Sequence, residues 1–167
     1  MIIKEASSTT LLAISAVMAA LVCITTLLIP IPIPATEGYF NIGDAMIMVA
    51  ALTGGPVVGA FAGGIGSSLA DILGGWYVWV IPTLIVKGAE GFLAGWILSR
   101  GKQNILNIVL AWIIGGLAMV FGYFLTGIYL YGFPAALVEL PFNFLQMAVG
   151  GMVGIPISQA LRRMIRV

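Results

Sequence analysis

The sequence predicts an all-α integral membrane protein: a compact bundle of six transmembrane helices, a single domain over residues 1–167, with both termini cytoplasmic. Three observations lead there. Hydrophobic residues make up 61% of the chain and charged residues only 8%, against the roughly 25% charged of an ordinary soluble domain. Apolar runs recur along the length, most of them close to the 20 or so residues that carry a helix across about 30 Å of hydrocarbon. The basic residues at the ends of runs fall at boundaries separated by an even number of runs, as they do when they remain on one side of a membrane.

The runs place spans at 10–29, 40–53, 56–73, 78–98, 104–131 and 137–161. The first, from Thr10 to Ile29, is too long for the apolar core of a signal peptide and ends in Pro30, Pro32 and Pro34, so it reads as a retained span. The second is short. About 14 helical residues reach only some 21 Å, which calls for thinned lipid or for a helical hairpin that does not fully cross. Gly54-Gly55-Pro56 separates it from the third span, and Gly74-Gly75 closes the third. The polar stretch Ser99 to Asn104 follows the fourth span, and Gly132-Phe133-Pro134 follows the fifth. Lys4 precedes span one, Arg100 and Lys102 follow span four, and Arg162, Arg163 and Arg166 follow span six. An even number of crossings separates each group from the next, while Glu37, Asp44, Asp71 and Glu139 fall toward the other face. The same parity holds for six spans or for four plus a re-entrant hairpin at 40–73. Trp76, Tyr77 and Trp79 read as an outer aromatic belt, with ligand stacking the alternative, and Trp96 as part of an inner one.

Composition removes several kinds of chemistry. Without a histidine there is no His-based catalysis and no His-ligated metal. Cys23 is the single cysteine, so no intrachain disulfide forms. The basic residues sit at segment ends and form no patch for nucleic acid. Gly63-Gly64-Ile65-Gly66-Ser67-Ser68 lacks the lysine of a phosphate loop and lies within an apolar run. Its glycines fit close helix packing, with Gly59 and Gly63, Gly91 and Gly95, and Gly150 and Gly154 each one turn apart. Ala13, Ala16 and Ala20 draw a smooth stripe on the first helix, suited either to packing within the chain or to a partner.

Ionisable residues within membrane spans carry the sharpest signal, because each costs roughly 2.5–3.5 kcal/mol at mid-bilayer and turns toward a cavity or a partner. Lys87 and Glu90 stand three apart in span four and can pair, either as a structural bridge or as part of a site. Glu139, Asn143 and Gln146 share one face near the start of span six. Asp44 opens span two, Asp71 closes span three, and Tyr39, Phe40, Asn41, Tyr123, Tyr129 and Tyr131 lie at similar depth. Such a set describes a small-molecule pocket in the outer half of the bundle, with no nucleophile, metal cluster or acid–base pair. It gives binding without chemistry.

Several stretches in order resemble the substrate-binding S components of energy-coupling factor (ECF) transporters. They are Pro32-Ile33-Pro34, Gly38-Tyr39-Phe40-Asn41-Ile42-Gly43-Asp44-Ala45, Gly63 to Asp71, Lys87-Gly88-Ala89-Glu90-Gly91 and Pro141-Phe142-Asn143-Phe144-Leu145-Gln146. The resemblance implies a six-helix subunit of the cell membrane that is not an enzyme and carries no cofactor or metal. It would take a water-soluble vitamin from outside and dock on a transmembrane coupling protein, the T component, bound to two ATP-binding-cassette ATPases. It implies Ala16 and Ala20, with Ala13, as the docking stripe. It assigns Tyr39, Asn41, Lys87, Glu90, Tyr123, Glu139, Asn143 and Gln146 to the pocket, under a stiff lid running from Pro30 to Asn41. Asp44 and Asp71 would hold helices two and three together. The branch resembled serves riboflavin, or hydroxymethylpyrimidine and pyridoxine. The competing reading is a stand-alone secondary transporter of a small polar metabolite, which calls for an internal repeat; the two halves show no convincing similarity.

Overall fold

The computed structural model describes residues 7–165, so Lys4 and Arg166 lie outside the described residues. Six α-helices run in order: α1 Ser8–Leu28, α2 Asp44–Gly54, α3 Pro56–Gly74, α4 Val80–Arg100, α5 Ile105–Tyr131 and α6 Phe133–Ile165. Local chemistry sets their ends. The Ser7 hydroxyl accepts from Thr10 N at 3.2 Å to cap α1, and Asn104 caps α5 through Asn107 N at 3.0 Å. Pro56 starts α3, where its missing N–H costs nothing, and Gly75 ends it at φ +87°.

Five of the six helices are long and apolar enough to cross a membrane. The exception is α2, whose 11 residues rise only about 16 Å. The sequence expects a short second span, and the structure shows how it is tolerated: α2 meets almost no lipid. Ile47, Met48, Val49, Ala50, Ala51 and Leu52 are all buried, with α1, α3, α4 and α6 packed around them.

Close backbone approaches hold this arrangement. A methyl group at Gly59 or Gly63 of α3 would run into the carbonyls of Gly91 and Lys87 on α4. One at Gly154 of α6 would lie 2.6 Å from the Ala45 carbonyl of α2. The glycine spacing therefore serves packing within the chain. The alanine stripe does not: Ala13, Ala16 and Ala20 are exposed, whereas Ser15 and Ala19 turn inward.

Three features differ from the sequence reading. Helix α2 starts at Asp44, not residue 40, and α6 starts at Phe133, not residue 137, because Pro134 fits a first helical turn. The fold is also not purely helical. Strands β1 Ile31–Ile33 and β2 Gly38–Phe40 pair antiparallel, Ile31 opposite Phe40 and Ile33 opposite Gly38. Pro32 has no N–H to give, yet in a two-stranded ribbon it can face outward without breaking a ladder. Finally, a 3₁₀ turn, Tyr77–Trp79, leads into α4 and turns Trp79 toward the interior while Tyr77 stays exposed.

Candidate functional site

The β1–β2 hairpin roofs one end of the bundle, and a cavity lies beneath it. Its floor is a buried charge cluster. Lys87 of α4 is 2% exposed; its Nζ bridges to Asp44 Oδ1 of α2 and stands 3.3 Å from Glu90 Oε2 one turn along. Gln146 of α6 extends the cluster. Its Nε2 donates to Asp44 Oδ1 at 3.3 Å, and its Oε1 accepts from Asn41 N at 3.1 Å and Asn41 Nδ2 at 3.3 Å. Asn41 Oδ1 in turn accepts from Gly43 N at 2.9 Å, fixing the turn into α2. Four parts of the chain thus meet around Asp44.

The expectation that Asp44 and Asp71 tie α2 to α3 is corrected here. Asp44 joins α2 to α4 and α6, while Asp71 receives the Tyr39 hydroxyl at 2.7 Å, fastening the hairpin to α3. Burial, and the Asp71 carboxylate beside it, push the Tyr39 hydroxyl well above the usual tyrosine range, so it remains a donor. The Tyr39 ring stacks on Trp76 at 3.8 Å between centroids. Trp79 Nε1 donates to Thr36 O at 3.1 Å, and its ring meets Tyr123 edge-on at 5.8 Å and Tyr131 at 6.0 Å. The aromatic belt is therefore divided: Tyr77 is exposed, but Trp79 is buried and belongs to the site.

The cavity leaves about 20 Å³ open to a water-sized sphere and is lined by Tyr39, Asn41, Lys87, Tyr123, Glu139, Asn143 and Gln146, among others. Of the eight residues that the resemblance assigns to the pocket, only Glu90 is absent from the lining; it stands behind Lys87 and balances its charge. Tyr129, suggested at similar depth, is 87% exposed and away from it. The sequence reading missed Thr26, Gly38, Ser67 and Thr83 as lining residues, and it gave Asp71 a structural role and Trp79 a belt role as the alternatives to lining. A signal was present. Trp79, Thr83 and Lys87 are spaced by four, as are Ser67 and Asp71, so each set falls on the helix face of a charged residue.

Several lining groups are unspent. Glu139 Oε2, Asn143 Nδ2, Asp71 Oδ2 and Thr26 Oγ1 are buried with no hydrogen-bond partner among the described residues, and so is Thr36 Oγ1 in the roof. Thr36 and Asn143 approach the Glu139 carboxylate closely enough to favour its charge, without the geometry of a well-formed hydrogen bond. Each such group costs about 1–3 kcal/mol if nothing meets it, which a polar ligand would offset.

A helical membrane bundle with a roofed polar cavity at one end has the form of a ligand-binding membrane subunit. Over residues 6–163 the chain matches the family of the ECF-type riboflavin transporter, S component, and it belongs to that family. It is 31% identical to the thiamine precursor transporter HmpT of Lactococcus lactis, over 91% of this chain and 87% of that protein. It is 46% identical to an uncharacterized protein of Pyrococcus woesei, over 79% of this chain and 87% of the relative. A solved S component of a bacterial ECF transporter superposes with a TM-score of 0.76 at 17% identity, covering 96% of this chain and all of the other, and shows the same fold. The family is one of multi-pass membrane subunits that capture vitamins for transport, and its members are not enzymes.

Proposed function

We propose that this subunit captures a vitamin precursor with a single nitrogen-containing aromatic ring, of the hydroxymethylpyrimidine type, at the outer face of the cell membrane. It then delivers the ring to the cytoplasm by docking on a T component and its two ATP-binding-cassette ATPases. One observation carries the choice of ligand. Glu139 and Asn143, an acceptor and a donor one helical turn apart that meet each other without a well-formed hydrogen bond, stand together at the cavity wall. An aminopyrimidine edge, with an amino group beside a ring nitrogen, offers the complementary donor and acceptor.

Trp79 and Tyr123 supply faces for stacking. The similarity to a thiamine precursor transporter supports the same ligand class. The exposed Ala13, Ala16 and Ala20 support docking through α1, since small side chains let another helix approach closely.

The test is calorimetry on the purified chain in detergent against hydroxymethylpyrimidine, pyridoxine, thiamine, riboflavin and biotin. Tight one-to-one binding of hydroxymethylpyrimidine without ATP is expected. Glu139→Gln and Asn143→Ala should each weaken it about 10- to 150-fold, the equivalent of one hydrogen bond to a charged group at about 1.5–3 kcal/mol. Tight binding of riboflavin alone would overturn the single-ring reading. Unchanged affinity in both variants would remove α6 from the site.

A further inference from the structure

We propose that the cavity reads its ligand at two opposite walls, and that Asp71, with Thr26 and Ser67, is the pole that takes a neutral hydroxyl group and turns away its phosphate ester. This pole rests on the single-ring reading and adds a specificity determinant to it. Glu139 and Asn143 hold one edge of the ring, and Asp71 selects what the far edge carries.

The order of packing sets the two walls apart. Helix α1 packs on α3, α3 on α4, α4 on α5 and α5 on α6, with α2 in the middle. Thr26 of α1 and Ser67 and Asp71 of α3 therefore line the cavity from one side, and Glu139 and Asn143 of α6 from the other. A ligand seated on the α6 wall presents its far edge to α1 and α3.

Polar capacity at that far wall exceeds what the chain uses. Asp71 is 1% exposed; its Oδ1 accepts from the Tyr39 hydroxyl at 2.7 Å, while its Oδ2 has no hydrogen-bond partner. The Thr83 hydroxyl, which accepts from Tyr123 at 3.2 Å, comes close enough to favour the Asp71 charge without the geometry of a well-formed hydrogen bond. A carboxylate has about four acceptor sites, so these two neighbours leave room for a donor from a ligand. Thr26, also 1% exposed, brings an unpartnered Oγ1 to the same cavity, and Gly43 lacks the methyl group that would collide with it. Thr25 and Ser68, next to Thr26 and Ser67 in the chain, donate back to their own helices, whereas Thr26 and Ser67 turn to the cavity.

A hydroxyl group fits this wall because it both gives and accepts. It can donate to Asp71 Oδ2 and accept from Thr26 or Ser67. A phosphate in the same place brings negative charge and acceptor oxygens to a carboxylate. Among the described residues Lys87 is the only cation in the lining, and Asp44 and Glu90 already hold it. An anion would thus meet Asp71 at one wall and Glu139 at the other, the kind of unpaired juxtaposition that rejects a wrong ligand.

The test is calorimetry on the purified chain in detergent with three probes that share one ring: hydroxymethylpyrimidine, the same aminopyrimidine with methyl in place of hydroxymethyl, and hydroxymethylpyrimidine phosphate. The methyl analogue should bind about 10- to 150-fold more weakly than the alcohol, the worth of a hydrogen bond to a charged group. The phosphate should bind at least about 100-fold more weakly, from like charges brought together. Asp71→Asn keeps the side-chain volume and an acceptor for Tyr39, and it should shrink the first ratio about 5-fold and relieve the rejection of the phosphate. Thr26→Val, which leaves the Tyr39 bond untouched, should shrink the first ratio about 2- to 10-fold. Each result is a ratio between probes on one variant, so a purely structural role for Asp71 would weaken all three probes together and leave the ratios unchanged. Equal binding of the methyl analogue, a phosphate bound as tightly as the alcohol, or ratios that survive Asp71→Asn (Thr26→Val where that variant does not fold) would overturn the pole and leave the single-ring reading in place. Binding of none of the three pyrimidines would remove the single-ring reading and the pole with it.

Discussion

Replacing Lys87 by methionine tests the charge cluster on which the cavity is built. Lys87, Asp44 and Glu90 are 2%, 1% and 1% exposed, and the lysine stands between the two carboxylates. Methionine fills nearly the same volume but leaves two buried carboxylates facing each other with their shared cation gone. Removing one member of a buried pair costs about 3–5 kcal/mol. In a protein of this size each kcal/mol moves the melting temperature by about 2–4 °C, so the ligand-free chain should melt roughly 6–20 °C lower. Removing every charge should undo most of that loss, because neutral residues of similar volume often replace a whole buried cluster at little cost. In Lys87→Met/Asp44→Asn/Glu90→Gln, the asparagine still offers Gln146 an acceptor. The assay is thermal unfolding in detergent followed by tryptophan fluorescence. A single variant that melts within about 2 °C of the parent, or a triple variant as weak as the single one, would refute the cluster as a stabilising unit.

Tyr39→Phe removes the bond from the hairpin to Asp71, a hydrogen bond to a carboxylate worth about 1.5–3 kcal/mol. Ligand release measured by stopped flow should then speed up about 10- to 150-fold, and unchanged release would deny the hairpin its role as a latched roof. Ala16→Leu with Ala20→Leu places bulk on an exposed face of α1, so uptake by cells carrying the coupling module should be lost while the isolated chain binds its ligand within about two-fold of the parent; weakened binding would move that face from docking to folding. Gly91→Ala sets a methyl against the Gly59 backbone of α3, and an overpacking cost of about 1–3 kcal/mol should appear as a melting temperature lower by roughly 2–12 °C.

The helices were legible because lipid imposes long apolar runs and because glycine and proline punctuate them. The hairpin was not. Ile31-Pro32-Ile33 and Gly38-Tyr39-Phe40 are three residues each, too short to show an alternating pattern, and the prolines that announce a stiff loop also argue against a strand. In the site, charged and amide residues stood out because they are expensive in lipid. Hydroxyls did not, since serine and threonine in membrane helices commonly donate back to their own helix, as Ser68 does to Gly64 O at 2.6 Å and Thr126 to Gly122 O at 2.9 Å. Trp79 was hidden by the base rate for interfacial tryptophan, which does not register that a 3₁₀ turn rotates the ring inward.

The partners of Asp44 were beyond local reading altogether, since Lys87 and Gln146 lie 43 and 102 residues away in the chain. Yet the feature that makes them meet is present in the sequence as the shortness of the second span. An 11-residue helix buried among long ones cannot reach the bundle's end, so it leaves a gap above its first residue. That first residue is Asp44, 1% exposed, and the three residues before it descend from the hairpin with Asn41 turned onto Gln146. The gap is the cavity, the hairpin its roof, and the Asp44 partners Lys87 and Gln146 part of its lining. The tight α3–α4 and α2–α6 crossings then decide which side chains face it, because they bring Lys87 and Gln146 against the start of α2. A short span that looks like a defect of a membrane helix is thereby what makes room for a ligand.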